Sequence, residues 1–353
     1  MNEKFYRNKL WSAVLKAEEE IRLIESGDIS RVCCNMSGEY DGGGKFDVNY
    51  ENRLIIARYL MWSDERLPDT EKLTAFLLKE EISAKKQDAY QGIGDCLGIL
   101  SVILDSCNAD GKYDELFSQA KNANFDCECG YSIEAFKNEY AYSLSELTPY
   151  ECICLLSDID CSAAAVLAKK YAEEHLPETA KDYTNLIYIN KMTGREKENI
   201  PYYEAVAEIT LEHDDPWKCS SALGELIGGY IKNGEFEKAY RSLGRAREYI
   251  FRVREWYSCG LGRDYFEYAA ELILNMPERA ESLWDEWKYF AVGAADDICI
   301  NCLKKLITAA ESVHDNEAVN IFSTALSKKE QLLRKSKEDI KNEPAKSEDR
   351  HMP

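Results

Sequence analysis

Three observations in the sequence predict an all-α protein. Apolar residues recur at helical spacing, three or four positions apart, through most of the 353 residues. Several of the eight prolines stand where a helical stretch begins, and none lies inside a strongly periodic one. Glycines cluster in residues 31–50, where the helical spacing stops. We therefore expect helices along nearly the whole chain and little strand outside residues 31–50.

The first predicted helix covers residues 3–25, and it ends at the turn-forming residues 26–28. Its main apolar residues are Leu10, Val14, Leu15, Ile21 and Ile24. Residues 31–50 follow as an irregular Gly-rich loop. The alternation of polar and apolar residues over 45–50 predicts a short hairpin within that loop.

Prolines mark later helix starts. Thr148–Glu151 combines an N-cap threonine, a proline at the first helical position and a glutamate that completes a capping box. Asp215-Pro216 and residues 275–277 are similar starts, and Leu176-Pro177 separates two helical stretches. These positions indicate where one helix gives way to the next.

A repeated pattern appears in the second half of the chain. A turn at Gly234 and Phe236 separates two stretches of helical spacing, and Ala239 lies near the start of the second. The same spacing of the second helix recurs around Ala280 and around Ala318. Such recurrence is typical of an array of helix pairs.

This pattern resembles the tetratricopeptide repeat superfamily, best over residues 217–330 and more weakly over 95–125. The sequence departs from the family at Leu226-Ile227, where the family has a Leu-Gly pair. The resemblance implies an α-solenoid of antiparallel helix pairs that binds peptides or proteins. It carries no catalytic residues with it, and chance matches in an all-helical chain are the alternative explanation.

We divide the chain into three regions. Residues 1–150 form an N-terminal helical region that includes the loop at 31–50, and residues 151–330 form a helical-repeat region. Residues 331–353 form a polar tail. Because apolar residues become sparse there, we expect a frayed helix that passes into disorder.

The charge balance excludes some classes of function. The chain has 44 basic and 64 acidic residues, a net charge of −20. Direct binding of nucleic acid is not expected, because affinity for the phosphate backbone comes from an excess of Lys and Arg. No apolar run approaches the roughly 18 residues that span a bilayer, so no membrane association is expected. The N-terminal residues are charged and amphipathic, unlike a secretory signal.

The 13 cysteines predict reduced thiols in a bacterial-type cytoplasm. An odd number in a long chain without a signal sequence is unlike a disulfide framework, and most have apolar neighbours. The cysteine pairs 127/129, 152/154 and 299/302 raise the alternative of a structural zinc site. Buried thiols are the favoured interpretation, and we predict no metal and no cofactor.

Enzymatic motifs are sparse. The sequence contains no Walker loop, GxGxxG, GxSxG or HExxH, and Gly42–Gly44 lacks the following Lys-Ser/Thr of a phosphate loop. His175, His213-Asp214 and Asp264 occur in the order used by the HD superfamily of all-helical metal phosphohydrolases. However, His213-Asp214 and His314-Asp315 both fall at predicted turns, which favours surface positions. We therefore name no catalytic residues.

Partner-binding candidates come from charge and aromatic patterning. Arginines crowd residues 241–263 of this acidic chain, and guanidinium groups suit recognition of carboxylates and phosphates. Internal ion pairing with neighbouring glutamates is the alternative. Trp284, Trp287 and Phe290 share one helix face and are predicted core residues, whereas Trp62 at a helix end is predicted to be exposed. The candidates are Arg241, Arg245, Tyr249, Arg252 and Trp62.

The leading functional hypothesis is a non-enzymatic, protein-binding helical-repeat module. Its negative charge would steer it toward a basic protein or peptide. One version is an immunity or antitoxin-type protein that neutralises a cationic toxin, and another is a regulator that senses a peptide. The alternative class is an enzyme, either an HD-like metal-dependent phosphohydrolase or an unrecognised helical enzyme. The sequence leaves the oligomeric state open.

Overall fold

The fold is helical, as predicted. A computed structural model describes residues 2–40, 44–63, 67, 69–140 and 142–342, with side chains to residue 332. Within these residues, the regular structure consists of helices and one two-stranded antiparallel hairpin. Gly42, Gly43 and residues 343–353 of the predicted tail lie outside the described residues. The tail residues that are described continue a helix to Asn342.

The elements follow one another along the chain with short connections. Strands β1 and β2 cover Gly38–Glu39 and Lys45–Phe46. The first ten helices are α1 (Glu3–Val14), α2 (Ala17–Glu25), α3 (Tyr50–Trp62), α4 (Thr70–Lys85), α5 (Asp95–Asp105), α6 (Asp114–Lys121), α7 (Phe125–Gly130), α8 (Ile133–Tyr140), α9 (Pro149–Ser157) and α10 (Cys161–Glu174). They are followed by α11 (Ala180–Met192), α12 (Ile200–Leu211), α13 (Pro216–Lys232), α14 (Phe236–Ile250), α15 (Gly260–Asn275), α16 (Ala280–Gly293), α17 (Ile300–Ser312) and α18 (Asn316–Asn342). Single 3-10 turns occur at Leu144–Glu146, Glu196–Asn199, Trp256–Ser258 and Pro277–Arg279.

The chain forms two compact units. The N-terminal unit consists of Met1–Leu176 and Tyr188–Arg195, and the C-terminal unit consists of Pro177–Ile187 and Glu196–Pro353. The boundary predicted from the sequence is at 150/151, whereas packing divides the chain after Leu176. Residues 180–187 of α11 belong to the C-terminal unit, and residues 188–192 belong to the N-terminal unit.

The predicted helix starts are found with their caps. Thr148 and Glu151 form the capping box of α9, with Glu151 Oε2 accepting a hydrogen bond of 2.8 Å from the Thr148 N–H. Asp215 caps α13 by accepting from the N–H groups of Trp217 at 3.0 Å and Lys218 at 3.1 Å. Each cap pairs N–H groups that have no partner within the helix.

The predicted helix at residues 3–25 is broken in the structure. The break lies at Leu15 and Lys16, between α1 and α2. Helix α1 packs against α3 and α9, while α2 packs against α3. The two segments share α3 as a neighbour, but α1 also packs on α9. A periodic apolar pattern does not reveal this difference.

The predicted hairpin in the Gly-rich loop is present. Gly38 pairs with Phe46 across the two strands. A Cβ atom on Gly38 would lie 2.5 Å from the Phe46 ring, so only glycine fits under that ring. The hairpin is thus closed by one aromatic side chain packed on one glycine.

A buried ion network holds the loop that carries the hairpin on α3 and α4. The guanidinium of Arg53, on α3, pairs with Asp47 in the loop and, at 2.8 Å, with Glu81 on α4. It also donates to the Val32 carbonyl at 3.1 Å. Asp47 Oδ1 accepts from the N–H of Asn35 at 2.9 Å, so the loop backbone joins the same network. Polar groups buried this deeply persist because they satisfy one another.

The C-terminal unit contains successive packed helices over the region of the repeat pattern. Helix α13 packs on α14, α15 on α16, and α17 on α18, while α15 also contacts α13 and α17. Ala239, Ala280 and Ala318 all lie in the buried core of this unit.

Two of the turns between these helices contain a residue in the left-handed backbone conformation. Gly234 has a φ of 73° and ends the helix that precedes Phe236. His314 has a φ of 60° at the matching turn between α17 and α18. The left-handed region favours glycine because it lacks a Cβ atom, so His314 occupies a position where glycine would be less strained.

We expect Ala239→Leu to destabilise the protein by about 1–3 kcal/mol. Ala239 is fully buried on α14, which packs against α13. The extra methyl groups of leucine would therefore force neighbouring side chains out of their preferred rotamers. Ala135→Leu, at an exposed position of α8, is the matched control and should change stability by less than about 0.5 kcal/mol. The measurement is the free energy of unfolding in urea. Equal stabilities of the two variants would contradict a close helix approach at Ala239.

Candidate functional site

The predicted arginine cluster lies on and just after α14, where most of its members are ion-paired. Arg245 Nη1 lies 2.9 Å from Glu208 Oε1. Arg252 Nη1 lies 2.7 Å from Asp214 Oδ1, and its guanidinium stands 5.8 Å from the centre of the Tyr249 ring. Arg245 and Arg252 are thus ion-paired within the protein, but with carboxylates on α12 and in the turn after it rather than with the neighbouring glutamates of the alternative.

The remaining predicted candidates differ in exposure. Arg241 is exposed on α14, one helical turn before Arg245. Trp62, the last residue of α3 in the N-terminal unit, is half-buried, and its ring lies 6.3 Å from that of Tyr142. Trp62 is thus less exposed than its place at a helix end predicts.

An aromatic cluster forms the centre of the C-terminal unit. Trp287 is 2% exposed and stacks on Tyr265 with a ring separation of 5.9 Å. Trp256 meets Trp287 edge-on at 5.7 Å, and Phe290 lies 5.1 Å from Trp256. Trp284 and Trp287 are core residues, as predicted. Phe290 was also predicted to be core, but it is only half-buried and extends the cluster to the surface.

The surface end of this cluster is a cavity of about 580 Å³, which we call the aromatic groove. It is lined by Tyr257, Lys288, Tyr289, Phe290, Val292, Gly293, Asp315, Glu317, Ala318 and Ile321. The second half of α16 and the first turns of α18 supply most of these residues. Two further cavities of about 400 Å³ lie in the N-terminal unit. We take the aromatic groove as the candidate site because aromatic side chains are the commonest anchors of protein interfaces.

Helical geometry explains how the groove presents its aromatic wall. Trp284, Trp287 and Ala291 occupy the buried face of α16. Tyr289 stands on the other side of that helix and is 79% exposed, with its ring 5.5 Å from Phe290. An exposed tyrosine on a half-buried phenylalanine offers an apolar face to a ligand.

The charged residues of the groove are mainly acidic. Asp315 accepts hydrogen bonds from the Trp284 indole N–H at 2.9 Å and from the Ala318 N–H at 3.1 Å. The Trp284 bond is the main cause of a lowered pKa of Asp315, which keeps that carboxyl ionised. Lys288 lies 3.5 Å from Asp285 and 3.6 Å from Asp315, so its charge is compensated.

Glu317 is the second acidic residue that lines the groove, after Asp315. It is exposed and has no ion-pair partner among the described residues. With Lys288 compensated and Glu317 free, the groove has a surplus of negative charge. It therefore favours a cationic ligand over an anionic one.

Tyr289, Lys288 and Glu317 are not among the candidate residues predicted from the sequence. One signal was available for Tyr289, an aromatic residue away from the apolar face of its helix. Glu317 had no signal, because it resembles any other acidic residue of the chain. Only packing of α18 beside α16 brings Glu317 and Tyr289 to the same cavity.

Two aspartates considered for metal binding are engaged by arginines. Asp214 is engaged by Arg252, which lowers the pKa of its carboxyl, and Asp264 pairs with Arg263 at 3.4 Å. All 13 cysteines are free thiols. Among the described residues, no three His, Cys, Asp or Glu side chains are grouped so that they could hold a metal ion.

Burial raises the pKa of the Cys152 thiol on α9 to about 12. The unfolded chain releases this proton near pH 9, whereas the folded protein retains it, so stability is lost as the pH rises from about 9 to 12. We expect Cys152→Ala to make that decline shallower by at most about 1.4 kcal/mol per pH unit.

This alkaline effect is measured by urea unfolding at several pH values from 8 to 11. Cys107→Ser, at an exposed thiol, is the control and should retain the decline of the unsubstituted protein. An identical slope for Cys152→Ala and the control would contradict the burial of an un-ionised Cys152 thiol.

No helix in the described part of the chain combines the length and apolar character needed to cross a membrane. In comparisons with known proteins, no protein-family model matches the chain and no curated protein matches it.

Proposed function

We propose that this protein is a non-enzymatic, protein-binding helical-repeat module that holds a segment of a basic partner protein in its aromatic groove. The observation that carries the proposal is the exposed ring of Tyr289 beside the half-buried ring of Phe290, in a cavity also lined by Glu317, whose carboxylate has no ion-pair partner among the described residues. Such a surface can contribute apolar contact area and charge recognition together.

The helix packing supports a repeat architecture. Helices α13 and α14, α15 and α16, and α17 and α18 are three successive packed pairs, and the first helices of neighbouring pairs also touch. A buried alanine occurs in the second helix of each pair. We propose that these pairs are tetratricopeptide-like repeats stacked as an α-solenoid, an architecture that supplies extended binding surfaces.

The net charge of −20 supports a basic partner. Long-range attraction increases the encounter rate of oppositely charged proteins, and the groove repeats the same sign at the contact itself. The cationic toxin of the immunity or antitoxin version would satisfy both conditions. The arginines of residues 241–263 fit this version as internal partners of acidic residues rather than as anchors for an acidic ligand.

The test compares three forms of the full chain in affinity capture from the native host. We expect Tyr289→Ala to lose a basic protein that the unsubstituted chain captures. Tyr188→Ala, which removes an exposed tyrosine of the N-terminal unit, should retain it. The association rate with the purified partner should fall as salt is raised, because the Debye length is only about 10 Å at 0.1 M. An acidic partner, or equal capture by both variants, would overturn the proposal.

A further inference from the structure

We infer that the aromatic groove is selective for arginine, and that an arginine side chain of the partner segment stacks on Tyr289, with Phe290 beside it, and pairs with Glu317. This inference rests on the proposed function and specifies the ligand chemistry of the same site. It is drawn from how the C-terminal unit binds its own arginines.

Three arginines of this unit are held in the same way, each by one aromatic ring and one carboxylate. Arg279 lies 4.3 Å from the centre of the Tyr240 ring and 3.3 Å from Glu237. Arg252 lies 5.8 Å from the Tyr249 ring and 2.7 Å from Asp214. Arg247 lies 6.0 Å from the Phe251 ring and 2.7 Å from Glu286. A ring and a carboxylate together thus hold three arginines in this unit, and they also hold Lys238, which lies 5.3 Å from the Tyr230 ring and pairs with Glu235.

The aromatic groove contains the same components without an arginine. Tyr289 supplies an exposed ring that meets the half-buried Phe290 ring edge-on, and Glu317 supplies a carboxylate that has no ion-pair partner among the described residues. The cation among the lining residues is Lys288, which is already held by Asp285 and Asp315. A guanidinium from another chain would complete a fourth site of the kind that the unit forms three times.

Physical chemistry favours arginine over lysine at such a site. A guanidinium is planar, so it can stack on a ring while its N–H groups point sideways to a carboxylate. It is also less strongly hydrated than an ammonium, so less hydration is lost when the ring covers it. The attraction of a cation to a tyrosine face adds to both effects. A lysine can form the ion pair and lie over a ring, as Lys238 does on Tyr230, but its ammonium cannot stack flat on that ring.

The test uses acetylated and amidated hexa-arginine and hexa-lysine peptides with the full chain, and it measures affinity by isothermal titration calorimetry. Both peptides have the same charge, so general attraction to the acidic protein is common to them. We expect hexa-arginine to bind about tenfold more tightly. Tyr289→Ala leaves the net charge unchanged and should reduce this preference to less than about twofold.

Glu317→Gln tests the carboxylate. It should weaken hexa-arginine binding about fivefold or more relative to Glu278→Gln, which removes the same charge from an exposed residue outside the groove. Each variant is first shown to keep the circular dichroism spectrum and melting temperature of the unsubstituted chain. Equal weakening by the two substitutions would overturn the role of Glu317.

The arginine inference and the proposed function fail in different ways. Equal affinity for the two peptides, or a preference that survives Tyr289→Ala, would overturn arginine selectivity. If Tyr289→Ala still lost the captured partner in that case, the groove would remain a protein-binding site of other specificity. Retention of the partner by Tyr289→Ala would instead overturn the proposed function.

Discussion

Replacing Arg53 by methionine is expected to destabilise the N-terminal unit by about 3–5 kcal/mol. The guanidinium is fully buried and pairs with both Asp47 and Glu81. Methionine has a similar length but no charge, so buried Asp47 would lose its cationic partner and Glu81 would keep only Lys85, 3.7 Å away. Removal of one member of a buried ion network costs far more than removal of a surface pair.

The measurement is urea unfolding of the full chain, followed by far-UV circular dichroism. Arg22→Met replaces an exposed arginine of α2 and should change the free energy of unfolding by less than about 0.5 kcal/mol. Adding Asp47→Asn to Arg53→Met should recover part of the loss, because Asp47 is the carboxylate whose ion-pair partner is removed. A loss below about 1 kcal/mol for Arg53→Met would show that water compensates Asp47 and Glu81, contrary to their burial.

Replacing Trp287 by alanine is expected to destabilise the C-terminal unit by about 3–5 kcal/mol. The Trp287 ring is in contact with Tyr265 and Trp256 and lies 6.0 Å from Phe251, so its removal leaves a cavity at the centre of the aromatic cluster. Surrounding side chains on several helices cannot all move inward to fill that space.

Tyr289→Ala is the matched control for this prediction, since it removes an aromatic ring two residues further along the same helix. Tyr289 is largely exposed, so its loss should change stability by less than about 0.5 kcal/mol. Thermal and urea unfolding of both variants provide the comparison. A large loss for Tyr289→Ala would contradict the exposed position that the groove requires, and a small loss for Trp287→Ala would contradict the packed cluster.

Local signals in the sequence predicted much of the fold. The capping box at Thr148–Glu151 and the cap at Asp215 depend on hydrogen bonds within a few residues, so their sequence signature is sufficient. The hairpin in residues 31–50 was predicted by alternation and glycine, which act over equally short distances. Trp284 and Trp287 were predicted as core because helical spacing alone places them on the apolar face.

Features that depend on distant neighbours were not predicted. The break at Leu15 and Lys16 separates α1, which packs on α3 and α9, from α2, which packs on α3. Arg53 gave no sign of burial, because an arginine in the sequence looks the same whether it faces water or two buried carboxylates. The candidate Arg245 is paired with Glu208 on α12, and Arg252 is paired with Asp214 in the turn after that helix.

The sequence by itself determined the helical class, the main helix starts, the small residues of the repeat pattern and the acidic character of the chain. Each of these depends on residue type or on spacing within one helix. The tertiary structure alone decided which charges are compensated and where the aromatic groove lies. Tyr289 and Glu317 belong to α16 and α18, and they line one cavity only because these helices pack side by side. Ion pairs and cavities are set by distances between helices, and no periodic pattern in a chain encodes such distances.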